Sequence, residues 1–462
     1  MTTSNLATNR ANNARRKVFY DYPTGKFPLM GLLSLMDDEE ELTDYELGWY
    51  EEKWKSARDL TAIIESGKGP FATSAAGTAA AANATAAVGA TIYVKLVNAD
   101  DIRVRDVIMI KDVLRTDATT ANVTGWVTAI DDTANVATVK LLDASLASVG
   151  ASNQVTTNNG KYVTVIGTAT GEGDRSRSDG RSTEPLKLTN VTQIFRTVLG
   201  PWTGSALKMG QQWDSKPKYF KDCKDGSLRH MTSMEKALLF GVKRETTTTN
   251  ADGDSVPVRF AGGIRWYLEQ WDKGNTANGG AYDYRPGESD LSSATWTSSS
   301  SEDKRVLTNV GTVTKSNWDE LIRRMFMSQS DSTYEKLVVC GDKTLAVIND
   351  YANRNSLTMH ELSPKEDSYG MQIKRLNTIH GDLLFKTHPL FKEDPSMQNT
   401  MVVLDAGDLK YHNMEGRDTE LLKNRQARDA DYRKDEWLTE CTFEIRMPRR
   451  HMWIDGLTGI LS

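Results

Sequence analysis

The side chains in this sequence that could do chemistry are few and scattered. His230, His360, His380, His388, His412 and His451 never fall at a metal-ligand spacing. His380 and His388, set across a hairpin around Gly381, come nearest to a pair, and a turn-capping role is the simpler expectation for each. Asn250, Asp252, Gly253 and Asp254 resemble the start of a calcium loop, but no glutamate stands at the twelfth position, so a plain turn is expected. Asp429, Asp431 and Asp435 could gather a cation. They interleave with Arg428, Arg433 and Lys434, which reads better as a solvated ion-pair network. Gly25-Lys26, Gly67-Lys68 and Gly160-Lys161 lack the upstream glycine of a phosphate loop. No GxSxG elbow exists, and His360-Glu361 runs into Leu362, Ser363 and Pro364 instead of completing a zinc helix. Cys223, Cys340 and Cys441 lie more than a hundred residues apart, as expected of reduced, buried thiols in a cytosolic chain. No acid, base and nucleophile converge. The expectation is a protein that is not an enzyme, with no catalytic, cofactor-binding or metal residue and no cofactor.

The elements that would position any site are those of a large globular body with polar extensions. A length of 462 residues allows two to four domains, and 39% hydrophobic with 26% charged residues is ordinary for a soluble protein. The 57 basic and 62 acidic residues nearly cancel, which argues against a dedicated nucleic-acid binder. Arg10, Arg15, Arg16 and Lys17 form a basic arm suited to nonspecific phosphate contact, whereas Asp37 to Glu41 reads as a solvated acidic run. No apolar run approaches the ~18 residues that span a bilayer. Met1 to Asn13 lacks the apolar core of a secretion signal, so Asn83-Ala84-Thr85 and Asn190-Val191-Thr192 carry no glycosylation meaning.

Residues 1–26 read as a flexible arm, followed by an apolar patch from Phe27 to Met36. Tyr45 to Tyr50 alternates like a strand. Gly67 to Ala90 is almost wholly Ala, Thr, Ser and Gly, and should be an extended arm or loop. Four or five short β-branched runs over 91–142 predict a small sheet or barrel, inserted between that stretch and the polar segment 171–181. Residues 190–199 look extended. Phe220, Cys223, Met231, Met234, Leu238 and Val242 recur at helical spacing and predict a helix from about Lys218 to Lys243, despite Gly226. Residues 273–303 read as a Gly/Ser/Asn-rich loop. Helices are expected at 318–326 and 343–351, buried strands at 337–340 and 401–404, and hairpin strands around 380–382. A long closing strand over 437–445 should have Leu438, Glu440, Thr442, Glu444 and Arg446 on a wetter face. The class is α+β, its sheet drawn from distant segments.

Four stretches together resemble the major capsid proteins of tailed bacteriophages with the Hong Kong 97 fold. VIGTATGEG (165–173) followed by NVTQIFRTVL (190–199) resembles the family's passage from an extended loop into the body. FAGGIRW (260–266) resembles its glycine-glycine-isoleucine segment, residues 369–391 its central hairpin with a histidine-proline, and residues 435–457 its closing strand. The resemblance spans roughly 27–66 and 160–462. GPWTG at 200–204 departs from the usual turn, and the 273–303 loop is long for the family.

That resemblance implies an N-terminal arm at 1–58 and an extended loop at 59–188 carrying the inserted β-domain at about 91–142. It further implies a peripheral domain with a spine helix at 189–250, an axial domain at 255–425, and a return strand of the peripheral domain at 426–462. The implied function is a structural subunit forming hexamers and pentamers of an icosahedral head shell around double-stranded DNA, contacted nonspecifically. Implied partners are the chain itself, a scaffold, which the short arm suggests is a separate protein, a portal and decoration proteins, without a membrane. The implied location is the virion after assembly in the host cytoplasm. An encapsulin-like nanocompartment shell and an α/β enzyme with an unrecognised site are the alternatives.

Overall fold

The computed structural model describes Leu29 and residues 40–52, 57–64, 87–96, 102–114, 120–131, 135–143, 162–175, 185–208, 218–250, 252–274, 280–282, 303–327, 335–354, 362–368 and 371–461. The basic arm, the low-complexity stretch up to residue 86, most of the 273–303 loop and His360 lie outside them. The class is mixed α+β, as expected.

One layer is a five-stranded sheet, ordered Glu40–Leu42, Leu409–Met414, Tyr432–Ile445 and Gln193–Thr203, with Glu420–Leu422 also paired to Tyr432–Ile445. Glu40–Leu42 runs parallel to its neighbour, and the other pairs are antiparallel. The helix Lys218–Phe240 packs against Gln193–Thr203. Gly226 lets the helix and strand approach closely: an added Cβ would overlap the tip of the Leu199 side chain, which would have to turn away. Expectation and structure agree on this helix but differ on its face. Phe220 and Val242 are exposed, while the buried side includes Gly226, His230, Met234, Glu235, Leu238 and Leu239. Polar side chains can occupy that face because distant segments supply their partners.

The closing strand also departs from expectation. Leu438, Glu440, Thr442 and Glu444 are buried, so Tyr432–Ile445 has no wet face along most of its length. It is a central strand, covered on both sides, and its carboxylates are matched by Arg417, His412 and Arg446. Leu29, from the apolar patch of the arm, sits inside this chain's own core with its N–H donated to Glu235. That places this residue in the subunit fold and not in a clasp on a neighbour.

A seven-stranded sheet forms the second layer. Its order is Val306–Leu307, Met452–Ile454, Met401–Leu404, Glu335–Cys340, Asp382–Thr387, Met371–Asn377 and Leu362–Ser368. The central strands are apolar on both faces, which explains their unbroken hydrophobic runs. Leu337, Val339, Val402 and Leu404 join the core shared with helix Ile264–Lys273. Val338, Cys340, Met401 and Val403 face Trp318 and Tyr351, from helices Lys315–Met325 and Asp342–Arg354.

The inserted module is a closed barrel of Ala57–Ile64, Thr91–Leu96, Val136–Leu141, Thr120–Asp131, Asp106–Leu114 and Tyr162–Thr168, in that order. It is wider than the expected 91–142. The two outer segments carry a weak alternation signal, and they are used because closure pairs the edges of Thr91–Leu96 and Asp106–Leu114. Inward residues alternate, as at Ile92, Val94 and Leu96 and at Ile108 and Ile110, and they form a core separate from the other two. Residues 57–168 expressed alone should therefore melt cooperatively. A broad, non-cooperative far-UV transition would show that the barrel depends on the body.

Candidate functional site

The short segment linking Leu186–Val191 to Gln193–Thr203 joins three distant parts of the chain. The buried Asn190 amide donates to the carbonyls of Gly262 (3.0 Å) and Phe443 (2.7 Å), and its oxygen accepts from the N–H groups of Gly262 (2.8 Å) and Val191 (2.9 Å). Thr192 donates its hydroxyl to Glu440, and Gln193 accepts from the Ala261 N–H. The glycines of the FAGG segment serve the same joint. Gly263 donates to the Gly241 carbonyl at 2.9 Å, and a Cβ on Gly263 would overlap the carbonyls of Ala237 and Leu238. Three of the stretches that carry the resemblance thus meet at one place.

The histidines are likewise engaged in joints. His388 Nδ1 accepts the Leu390 N–H and caps the turn Pro389–Glu393, so its proton is on Nε2 and is donated to Glu235 at 2.8 Å. Neither ring nitrogen is left to move a proton. His230 lies between the hydroxyls of Thr197 and Thr439, with burial holding its pKa down. His412 meets Glu444 at 2.8 Å; burial pushes that carboxyl up, but His412 and Arg446 outweigh it and hold it below its ordinary value. His380 sits in the turn before Asp382–Thr387, where its N–H donates to Thr378, and no structural partnership joins it to His388.

His451 accepts from the Asp405 N–H and donates to the Arg446 carbonyl; burial, with Lys336 nearby, lowers its pKa to about 3. The unfolded chain binds this proton near pH 6.5 and the folded chain does not. Stability should therefore fall as pH drops from about 6.5 toward about 3, by up to about 1.4 kcal/mol per pH unit from this group. Urea midpoints across that range check it, and a His451→Asn variant should lose that component of the slope. An unchanged slope would mean that the ring is protonated in the fold.

A belt of buried charge lies where helix Ile264–Lys273 meets the seven-stranded sheet. Asp272 accepts from the N–H groups of Arg305 and Val306, and burial raises its pKa to about 6 against that pull. Burial lowers Arg305 to about 10 and Lys336 to about 8, and Lys336 donates to the Arg450 carbonyl at 2.8 Å. Asp429, Asp431 and Asp435 are not gathered, in line with the ion-pair reading. Asp429 and Asp431 are exposed, while Asp435 is buried and accepts from Arg433, Tyr219 and the Asn424 N–H. The ion pair expected there exists, but it is only half solvated: Asp435 is buried and Arg433 half-buried. Asn250 closes the hairpin Arg244–Thr249/Ser255–Phe260, accepting from the N–H groups of Asp252 and Asp254. Cys340 and Cys441 are buried and Cys223 is half-buried, all as free thiols. Among the described residues, no three His, Cys, Asp or Glu side chains form a metal cluster.

The sequence reading missed Glu235 and Glu444. The signal for Glu235 was a carboxylate beside Met234 and Leu238 on an apolar helix stripe. Its partner, His388, stands 153 residues away.

No curated protein sequence matches the chain. Among solved structures, a chain of Mycobacterium phage Patience is 10% identical, over 63% of this chain and 76% of its own, with a TM-score of 0.38. A chain from the capsid of an empty GTA particle is 9% identical over 63% and 81%, with a TM-score of 0.36. One from the holo-SrpI encapsulin complex of Synechococcus elongatus PCC 7942 is 8% identical over 59% and 76%, with a TM-score of 0.34. A family model described as the SU10 major capsid protein matches residues 28–458. With nearly its whole length matched and its buried ionisable groups engaged in structural joints, the chain belongs to the SU10 major capsid protein family: a structural virion subunit that associates with its own copies, and not an enzyme.

Proposed function

We propose that this chain forms hexamers and pentamers that tile the icosahedral head of a tailed phage around double-stranded DNA. Assembly takes place in the host cytoplasm, with scaffold, portal and decoration proteins as partners. The observation that carries the reading is the family match over residues 28–458. The joints at Asn190, Glu235 and Glu444 support it, because they bind far-separated segments into a body that can hold its shape under load. Within that reading, residues 1–58 are the arm, 59–188 the extended loop and 189–250 the peripheral domain with its spine helix. Residues 255–425 are the axial domain and 426–462 return to the peripheral domain, with strands exchanged across that division: Leu409–Met414 pairs with the closing strand, and Met452–Ile454 with Met401–Leu404. Electron microscopy of the purified chain tests the proposal. Closed shells or capsomer rings are the expected result. Single subunits over a wide concentration range, even with a crowding agent, would overturn it.

A further inference from the structure

The helix Lys218–Phe240 gives Gly226, His230 and Met234 to the fold and leaves a cationic side open. Lys218, Arg229 and Lys236 are exposed there. At 3.6 residues per turn these three fall within about 20° of one another along roughly 27 Å, with half-buried Lys221 about 60° to one side and exposed Lys224 about 120° round the helix, off the line. Two half-buried carboxylates on the same side, Asp225 and Asp222 (which accepts from the Trp202 indole at 2.8 Å), offset part of this charge, while Glu235 is buried against His388. The hydroxyls of Thr232 and Ser233 donate to the carbonyls of Leu228 and Arg229, so they add no competing surface chemistry. In a chain of net charge −5, this line is a local excess of positive charge.

We propose that the line is where the subunit meets duplex DNA, lying against the phosphates of the enclosed genome. The inference rests on the preceding reading of the shell as one that contains DNA. Charge complementarity selects the occupant: a duplex carries one negative charge per ~1.7 Å of axis, a continuous match for cations strung along a helix. Lysines dominate the line. They act as point charges toward phosphate without reading base edges, which suits a surface that must accept any sequence.

The test titrates a random-sequence 30-bp duplex with the purified full-length chain, before shell closure, at salt from about 50 to about 200 mM. Each phosphate-neutralising cation contributes about 0.9 to the slope of log K against log salt. The combined variant Lys218→Gln, Arg229→Gln and Lys236→Gln should lower that slope by about 2.7 per bound subunit. Its melting temperature and its shells should match those of the parent. An unchanged slope would place the phosphate contacts elsewhere, such as on the Arg10–Lys17 arm, and overturn the proposal. So would a parent that does not bind the duplex at the lowest salt, or a variant that loses shells along with DNA, which would make this side a contact between copies. Shell formation by the parent without DNA tests the capsid reading separately, so the two can fail independently.

Discussion

Asn190→Ala is expected to lower the unfolding free energy by about 3–5 kcal/mol, because it strands polar groups of Gly262 and Phe443 at roughly 1–3 kcal/mol each. The amide makes four hydrogen bonds in a buried site and links the end of Leu186–Val191, the FAGG turn and the closing strand. Asn190→Asp should be at least as damaging. A carboxylate can still accept from Gly262 and Val191, but it turns an acceptor toward two carbonyls that need a donor. Urea denaturation, read as a fall in midpoint at constant m, checks both variants. A loss below about 1 kcal/mol for the alanine variant would mean that water replaces the amide, and that the joint is not held by this side chain.

Met234→Pro should abolish shells. Met234 lies inside the helix Lys218–Phe240 at 1% exposure, flanked by two of the joints, His230 one turn before it and Glu235 next to it. Proline removes the bond to the His230 carbonyl and clashes with that turn, at about 3 kcal/mol or more. It also displaces Glu235 from His388. Met234→Leu is the control: it keeps the volume and should cost less than about 1.5 kcal/mol, with shells intact. Electron microscopy and thermal melting of the two variants read the difference. Normal particles from the proline variant would show that an unbroken helix is not needed for assembly.

The elements were legible in the sequence where burial is one-sided or complete. Leu337 to Cys340 and Met401 to Leu404 read as buried strands because both of their faces are apolar, and the helix near Met234 announced itself by spacing. What could not be read was which polar residues are inside. Glu440, Thr442 and Glu444 alternate like a solvated face, and only the neighbouring strands and loops, bringing Arg417, Thr192, His412 and Arg446, turn that face inward. The same holds for Asp435, which is buried by partners that include Tyr219, 216 residues earlier. A one-dimensional pattern carries hydrophobic period but not the identity of a partner across the fold. The barrel's outer strands were missed for a related reason: Ala57–Ile64 and Tyr162–Thr168 become strands through the edges they close.

Glu46–Glu51 and Leu186–Val191 are paired antiparallel, so the chain between them is formally the loop of a hairpin. The barrel sits inside that loop, and its first and last strands are themselves hydrogen-bonded neighbours, with Asp59 opposite Tyr162. Once the barrel has formed, Ala57 and Thr164 are held opposite one another, about one strand spacing or ~4.8 Å apart. The segment that must close to pair the hairpin then shrinks from roughly 134 residues to roughly 26, a reduction of about 1.5 kcal/mol in closure entropy. Barrel formation thus lowers the contact order of the body, which should make the barrel a kinetic aid to folding: a chain with an unfolded barrel would pair Glu46–Glu51 late and slowly.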